Sequence, residues 1–126
     1  PHLLIPAALQ AALAGEDFPM TTGKQEKDWI YIDDIVAGFQ ALLRAELLPG
    51  ITVELGTGRA TRVADVVEEL YRIVGHGGRP IIGAIPNRPG EDPRQIADAE
   101  QTAATINWRA GLSLSEALRK LVNNAT

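Results

Sequence analysis

The chain has 126 residues, with 12 Lys and Arg against 16 Asp and Glu for a net charge of −4, and it contains no cysteine and two histidines. That length supports one hydrophobic core, so residues 1–126 are expected to form a single domain, and an acidic balance with no basic stripe argues against nucleic acid as a partner. The missing cysteines exclude a disulfide framework and thiolate metal sites, and two distant histidines leave little for zinc.

In chain order, the first apolar stretch (3–14) carries Pro6 where a first helical turn tolerates it and ends before Gly15, which suits a left-handed cap. It reads as a short helix. Broken by Pro6 and Gln10, it is too short to span a bilayer, and with no basic head it does not read as a signal peptide. These absences fit a cytoplasmic protein, while a first residue of Pro1 reads as a cut from something longer. Residues 18–21 form a weak strand candidate. Trp29, Ile30, Tyr31 and Ile32 read as a strand that feeds a helix N-terminus at Asp33 and Asp34, with Asp33 the expected cap. Val36, Phe39, Leu42 and Leu43 then recur at helical spacing until Leu48, Pro49 and Gly50 close the segment.

Residues 51–55 read as another strand, followed by a Gly56-Thr57-Gly58 turn. A helix starting near Thr61 buries Val63, Val66, Val67, Leu70, Ile73 and Val74, exposes a Glu68 to Arg72 pair, and closes at Gly75. The glycines around His76 read as a cap and link, and residues 80–82 as a short strand. Asp98 with Gln101 resembles a capping box, Asn107 suits a left-handed helix end, and Ser113 with Glu116 is a cleaner box opening a helix that buries Leu114, Ala117, Leu118, Leu121 and Val122.

The densest chemistry lies in Arg88-Pro89-Gly90-Glu91-Asp92-Pro93-Arg94. Arg88 and Arg94 offer planar forks of donors that match a phosphate, while Glu91 and Asp92 offer acceptors that suit sugar hydroxyls. A solvated turn explains the same run. Gly56-x-Gly58 before a helix invites a dinucleotide-binding reading, but Thr61 stands where the third glycine belongs, and a tight turn is the simpler account. Neither histidine has a serine or carboxylate near it in sequence that suggests a triad, and no nucleophile stands out.

Several pieces fall together in one resemblance. Residues 21–34, with Gly23, Gln25, Lys27, Asp28, Trp29, Tyr31 and Asp34, resemble the Gly-x-Gln-x-Arg-Asp, aromatic, apolar, Tyr, Val, x, Asp segment of extended short-chain dehydrogenase/reductases of the nucleotide-sugar epimerase and dehydratase type. Leu55-Gly56-Thr57-Gly58 resembles that family's Asn-Leu-Gly-x-Gly, and Arg88-Pro89-Gly90-Glu91, Asp98 and Asn107-Trp108 resemble its Arg-Pro-Gly-Asp, later Asp and closing Gly-Trp. Order and spacing hold along nearly the whole chain.

The resemblance implies an α/β fragment of an NAD(P)-binding Rossmann-type enzyme, mainly its small mixed helix and strand substrate lobe, with the N-terminal cofactor-binding part absent. It implies that Lys27 and Arg88 face the diphosphate of a nucleotide-sugar, that Glu91 holds a ribose hydroxyl, and that the strand bearing Phe18 and Met20 lies along the base. NAD or NADP would belong to the parent protein, a homodimer by resemblance, and none would be held by this chain alone. The family's Tyr-x-x-x-Lys pair is missing: Ile35 stands four residues after Tyr31 and Gly75 four after Tyr71. No catalytic residue and no metal ligand is therefore assigned, and the chain alone is expected to be inactive. Departures are Lys27 for the phosphate-facing arginine, Glu54 for the asparagine before Leu-Gly, and Glu91 for aspartate. They leave open an alternative, a non-catalytic nucleotide-binding or regulatory module of the same ancestry.

Overall fold

The structure, a computed structural model, describes residues 3–89 and 94–126. Helix α1 (Leu4–Leu13) carries Pro6 in its first turn and ends at Gly15 in the left-handed region, burying Ala8, Leu9 and Ala12. Strand β1 (Phe18–Met20) and the two-residue strand β2 (Glu26–Lys27) follow. Then come α2 (Ile32–Arg44), β3 (Thr61–Arg62) and α3 (Val63–Val74), capped by Gly75 at φ 67°. The remaining elements are β4 (Pro80–Ile82), β5 (Arg94–Gln95), α4 (Ala99–Ile106) and α5 (Leu114–Ala125).

Two small sheets result. β1 pairs parallel with β4, Phe18 opposite Pro80 and Met20 opposite Ile82. In the second sheet β2 is the centre strand, antiparallel to β3 on one side and parallel to β5 on the other. The core forms around α3, whose Val66, Val67 and Leu70 are fully buried, with α1 and β1 supplying Ala8, Leu9, Ala12 and Met20 and α5 supplying Leu118. Leu114, Leu121 and Val122 pack at its edge as the periodicity of α5 predicts.

Four expectations are corrected. Residues 29–32 form no strand: Tyr31 is extended (φ −79°, ψ 146°) and its carbonyl already accepts from the amides of Asp34 and Ile35, so α2 begins at Ile32. Asp33 is accordingly not the cap but lies in the first turn, where its charge still suits the helix dipole. Residues 51–55 alternate apolar and polar but pair with no strand among the described residues, and a strand needs a neighbour for its backbone donors and acceptors. Arg72 pairs with Glu69, three residues back, instead of with Glu68.

Helix α2 buries only its small residues, Gly38 and Ala41, and presents Ile32, Val36, Phe39 and Leu43 to solvent. The small side is needed for packing, since a Cβ on Gly38 would lie 3.0 Å from Leu55 Cδ2 and 3.2 Å from Trp108 Cζ2. Among the described residues no helix is long and apolar enough to cross a membrane.

Candidate functional site

Strand β2 ends in the middle of the three-stranded sheet, with Lys27 opposite Thr61 on β3 and Gln95 on β5, and Glu26 opposite Arg62 and Arg94. A ladder of two residues has few hydrogen bonds to hold its register. The next residue, Asp28, supplies what the ladder lacks. One carboxylate oxygen accepts from the Thr57 amide (2.9 Å) and the Thr57 hydroxyl (2.6 Å), and the other from the Gly58 amide (2.8 Å) and the Ala97 amide (3.2 Å). Burial pushes this carboxyl up, but the four donors outweigh it and hold it below the usual aspartate range.

The glycines of the 56–58 turn serve this arrangement. A Cβ on Gly56 would lie 2.5 Å from Ala97 Cβ and 2.7 Å from Asp28 Oδ2, so only glycine lets the turn close on the carboxylate. Gly58 sits at φ 77°, and a Cβ there would come within 2.8 Å of Ala99 Cβ. The amides of Thr57 and Gly58, which a pyrophosphate would require in a dinucleotide fold, are committed to Asp28. The residues of this chain therefore do not fit an NAD pyrophosphate at that turn.

Lys27, Asp28, Glu54, Gly56, Arg94 and Ala97 line one open cleft of about 610 Å³, with Trp29 at its edge. Trp29 is fixed by its indole nitrogen, which donates to the Thr61 carbonyl at 3.0 Å. Glu54 is tied down twice: its carboxylate accepts from the Asp98 amide (2.6 Å) and its carbonyl from the Thr102 hydroxyl (2.6 Å). Asp98 in turn caps α4 by accepting from the Gln101 amide. Arg94 reaches the Glu26 carboxylate at 3.5 Å, an exposed pair of the kind that contributes little to stability. The cleft thus combines two cations with the Glu54 carboxylate, which keeps acceptor capacity beyond its bond to the Asp98 amide, a surface for an anion that also carries hydroxyls.

Of the other expected site residues, Phe18, Met20 and Arg88 lie apart from this cleft. Phe18 and Met20 sit on β1, where Phe18 is half-buried and the Met20 side chain is 3% exposed inside the core. The backbone of β1, exposed Pro19 and part of Phe18 remain to face a ligand. Arg88 is exposed on the loop after β4, and neighbouring Asn87 ties that loop to the end of β1 by accepting from the Thr22 amide and hydroxyl, both at 3.1 Å. Glu91 lies outside the described residues. A separate apolar groove of about 240 Å³ between Ile5, Trp29, Tyr31, Leu114 and Leu121 carries scarcely any polar surface. Among the described residues no cluster of His, Asp and Glu is placed to hold a metal.

Asp28 is the site residue that inspection of the sequence did not single out. Its signal was the pairing of a carboxylate with two glycines some thirty positions downstream, and nothing local joins them.

Comparison with known proteins gives this geometry a setting. A model of the NAD dependent epimerase/dehydratase family matches residues 1–56. A protein of Sinorhizobium fredii, named probable dTDP-glucose 4,6-dehydratase, is 31% identical over 130 residues, covering 97% of this chain and 37% of that protein. The UDP-glucose 4-epimerase of Bifidobacterium longum is 30% identical over 111 residues, covering 86% of this chain and 32% of the relative. Among solved structures, that of a Thermotoga maritima UDP-glucose 4-epimerase with UDP-glucose superimposes with a TM-score of 0.82 at 26% identity, over 92% of this chain and 37% of that one. The chain therefore spans well under half the length of the proteins it matches.

Proposed function

The chain belongs to the NAD dependent epimerase/dehydratase family, within the extended short-chain dehydrogenase/reductases, and from that membership we propose that it forms the substrate-binding portion of a longer enzyme acting on a nucleotide-diphosphate sugar. The observation that carries this reading is the cleft, which Lys27, held between two strands, lines together with Arg94 and Glu54. Two cations suit a diphosphate, and the Glu54 carboxylate suits the hydroxyls of ribose or sugar. The relatives named for UDP- and dTDP-sugars support that substrate class. In this reading Arg88 approaches the diphosphate from the loop after β4, Glu91 contributes an acceptor, and β1 offers its backbone and Phe18 to the base.

The chemistry belongs to the rest of the parent. The cofactor of the family, NAD or NADP, supplies hydride acceptance at a sugar carbon when bound, and the present chain offers neither the glycine-rich turn nor the Tyr-x-x-x-Lys pair for it. What these residues do is bind and orient, and alone they are expected to turn nothing over.

Calorimetric titration of the full-length protein with UDP and dTDP tests the reading. Losing one charge-assisted phosphate contact, Lys27→Ala is expected to weaken the tighter of the two about 10- to 100-fold. Lys27→Arg keeps the charge and adds the bidentate fork, so it is expected to bind at least as well as wild type. Equal affinities for wild type and Lys27→Ala would overturn the assignment.

A further inference from the structure

We propose that Asp28 is the positioning residue of this cleft: by clamping the 56–58 turn and the Ala97 amide beyond β5 onto the end of β2, it sets where Lys27 stands against the wall of the cleft. This rests on the reading above, that the cleft takes a nucleoside diphosphate.

The two cations stand on adjacent strands of two residues each, too short to fix their own alignment. Beyond those strands the paths are held by one group. Asp28 follows Lys27 directly, and the Ala97 amide that it binds lies three residues after Arg94, so a single carboxylate is common to both arms. Its other oxygen holds Thr57 through amide and hydroxyl together, closing the wall of the cleft from the side of Glu54. The second, independent observation is Gly56, where any side chain would strike both Asp28 Oδ2 and Ala97 Cβ. Sequence and geometry both keep this spot clear for the carboxylate. An aspartate serving stability alone could sit anywhere in the sheet; this one follows Lys27 directly and joins its strand to the segment that follows Arg94.

The consequence is specific to the phosphates. An amide in place of the carboxylate keeps one acceptor oxygen and turns N–H donors toward the other side, so either the Thr57 amide contact or those that join Gly58 to Ala97 are lost. Phosphate contacts then weaken, while contacts to base and ribose stay.

The test uses the full-length protein, with UDP or dTDP, whichever wild type holds more tightly, and the matching nucleoside as control. Affinities are read by calorimetry and by saturation-transfer NMR at a temperature where circular dichroism shows each variant folded. Asp28→Asn is expected to weaken the nucleoside diphosphate about tenfold and leave the nucleoside unchanged. Thr57→Val removes a single bond of the clamp and is the variant to rely on if Asp28→Asn fails to fold; it is expected to lose about threefold, again for the diphosphate only. If both bind the diphosphate like wild type, or lose nucleoside and diphosphate alike, the positioning role is overturned while a sensitive Lys27→Ala leaves the cleft assignment standing. A Lys27→Ala that binds like wild type removes the cleft assignment, and the role of Asp28 with it.

Discussion

At Asp28 two opposing effects meet, and the balance has a measurable sign. Burial disfavours the charge, yet the Thr57 hydroxyl and three backbone amides favour it more, so the folded carboxyl titrates below the ordinary aspartate value of about 3.9. A group depressed in this way contributes its stability in full above the unfolded value and loses it as the pH falls through the folded one. The melting temperature of wild type should therefore exceed that of Asp28→Asn at pH 6, and the gap should narrow as the pH is lowered below about 4. A gap that stays constant over that range, by scanning calorimetry, would sink this account. Residue type alone marked the arginines as candidate phosphate partners, because a guanidinium in a mixed-charge segment needs no knowledge of the fold, while Lys27 was a candidate only through the family resemblance. Asp28 was no candidate, because its meaning lies in donors 29, 30 and 69 positions away. Met20 shows the converse, since nothing in a three-residue apolar strand says which side chain turns into the core.

Three helix ends with local signals, at Gly75, Asn107 and Ser113, match the sequence reading, whereas the strands, which depend on partners, match it only in part. The box at Ser113 is complete, the Ser113 hydroxyl accepting from the Glu116 amide and the Glu116 carboxylate from the Ser113 amide at 3.1 and 3.0 Å. Both halves lie within four residues, so sequence shows them. Ser113→Ala is expected to cost about 1 kcal/mol, read as a lowered denaturant midpoint with unchanged slope; a midpoint equal to wild type would mean that water satisfies the first turn as well. Asn107 at φ 53° and Gly75 at φ 67° are further local signals that match the helix ends. The strands behaved differently. Residues 80–82 pair with β1, whereas residues 51–55, with a stronger strand pattern, pair with nothing described, and β2 and β3 are two-residue pieces that no periodicity could show. Strand formation is settled by the neighbour, and residues 51–55 have none among the described residues.

At the scale of the whole molecule the orientation of α2 is the telling feature. A helix on the surface of a self-contained domain turns its large apolar residues inward, but here Gly38 and Ala41 face the packed side while Phe39 is 57% and Leu43 87% exposed. Ile32 and Val36 extend the stripe over the full length of the helix, and exposed Ile51 adds to the apolar surface near the unpaired 51–55 segment. A contiguous apolar stripe of this kind marks a surface that is covered in the functional molecule, and a polypeptide spanning 37% of a relative's length leaves ample chain to cover it. The 126-residue chain by itself is thus expected to self-associate with rising concentration, and Phe39→Ser with Leu43→Ser to restore a monomer in sedimentation velocity. In the full-length protein the same pair should act in the opposite direction, lowering stability by about 3 kcal/mol or more because two side chains buried against the remaining chain lose their apolar contact. A double variant that leaves the full-length protein as stable as wild type would show that the stripe faces water there too.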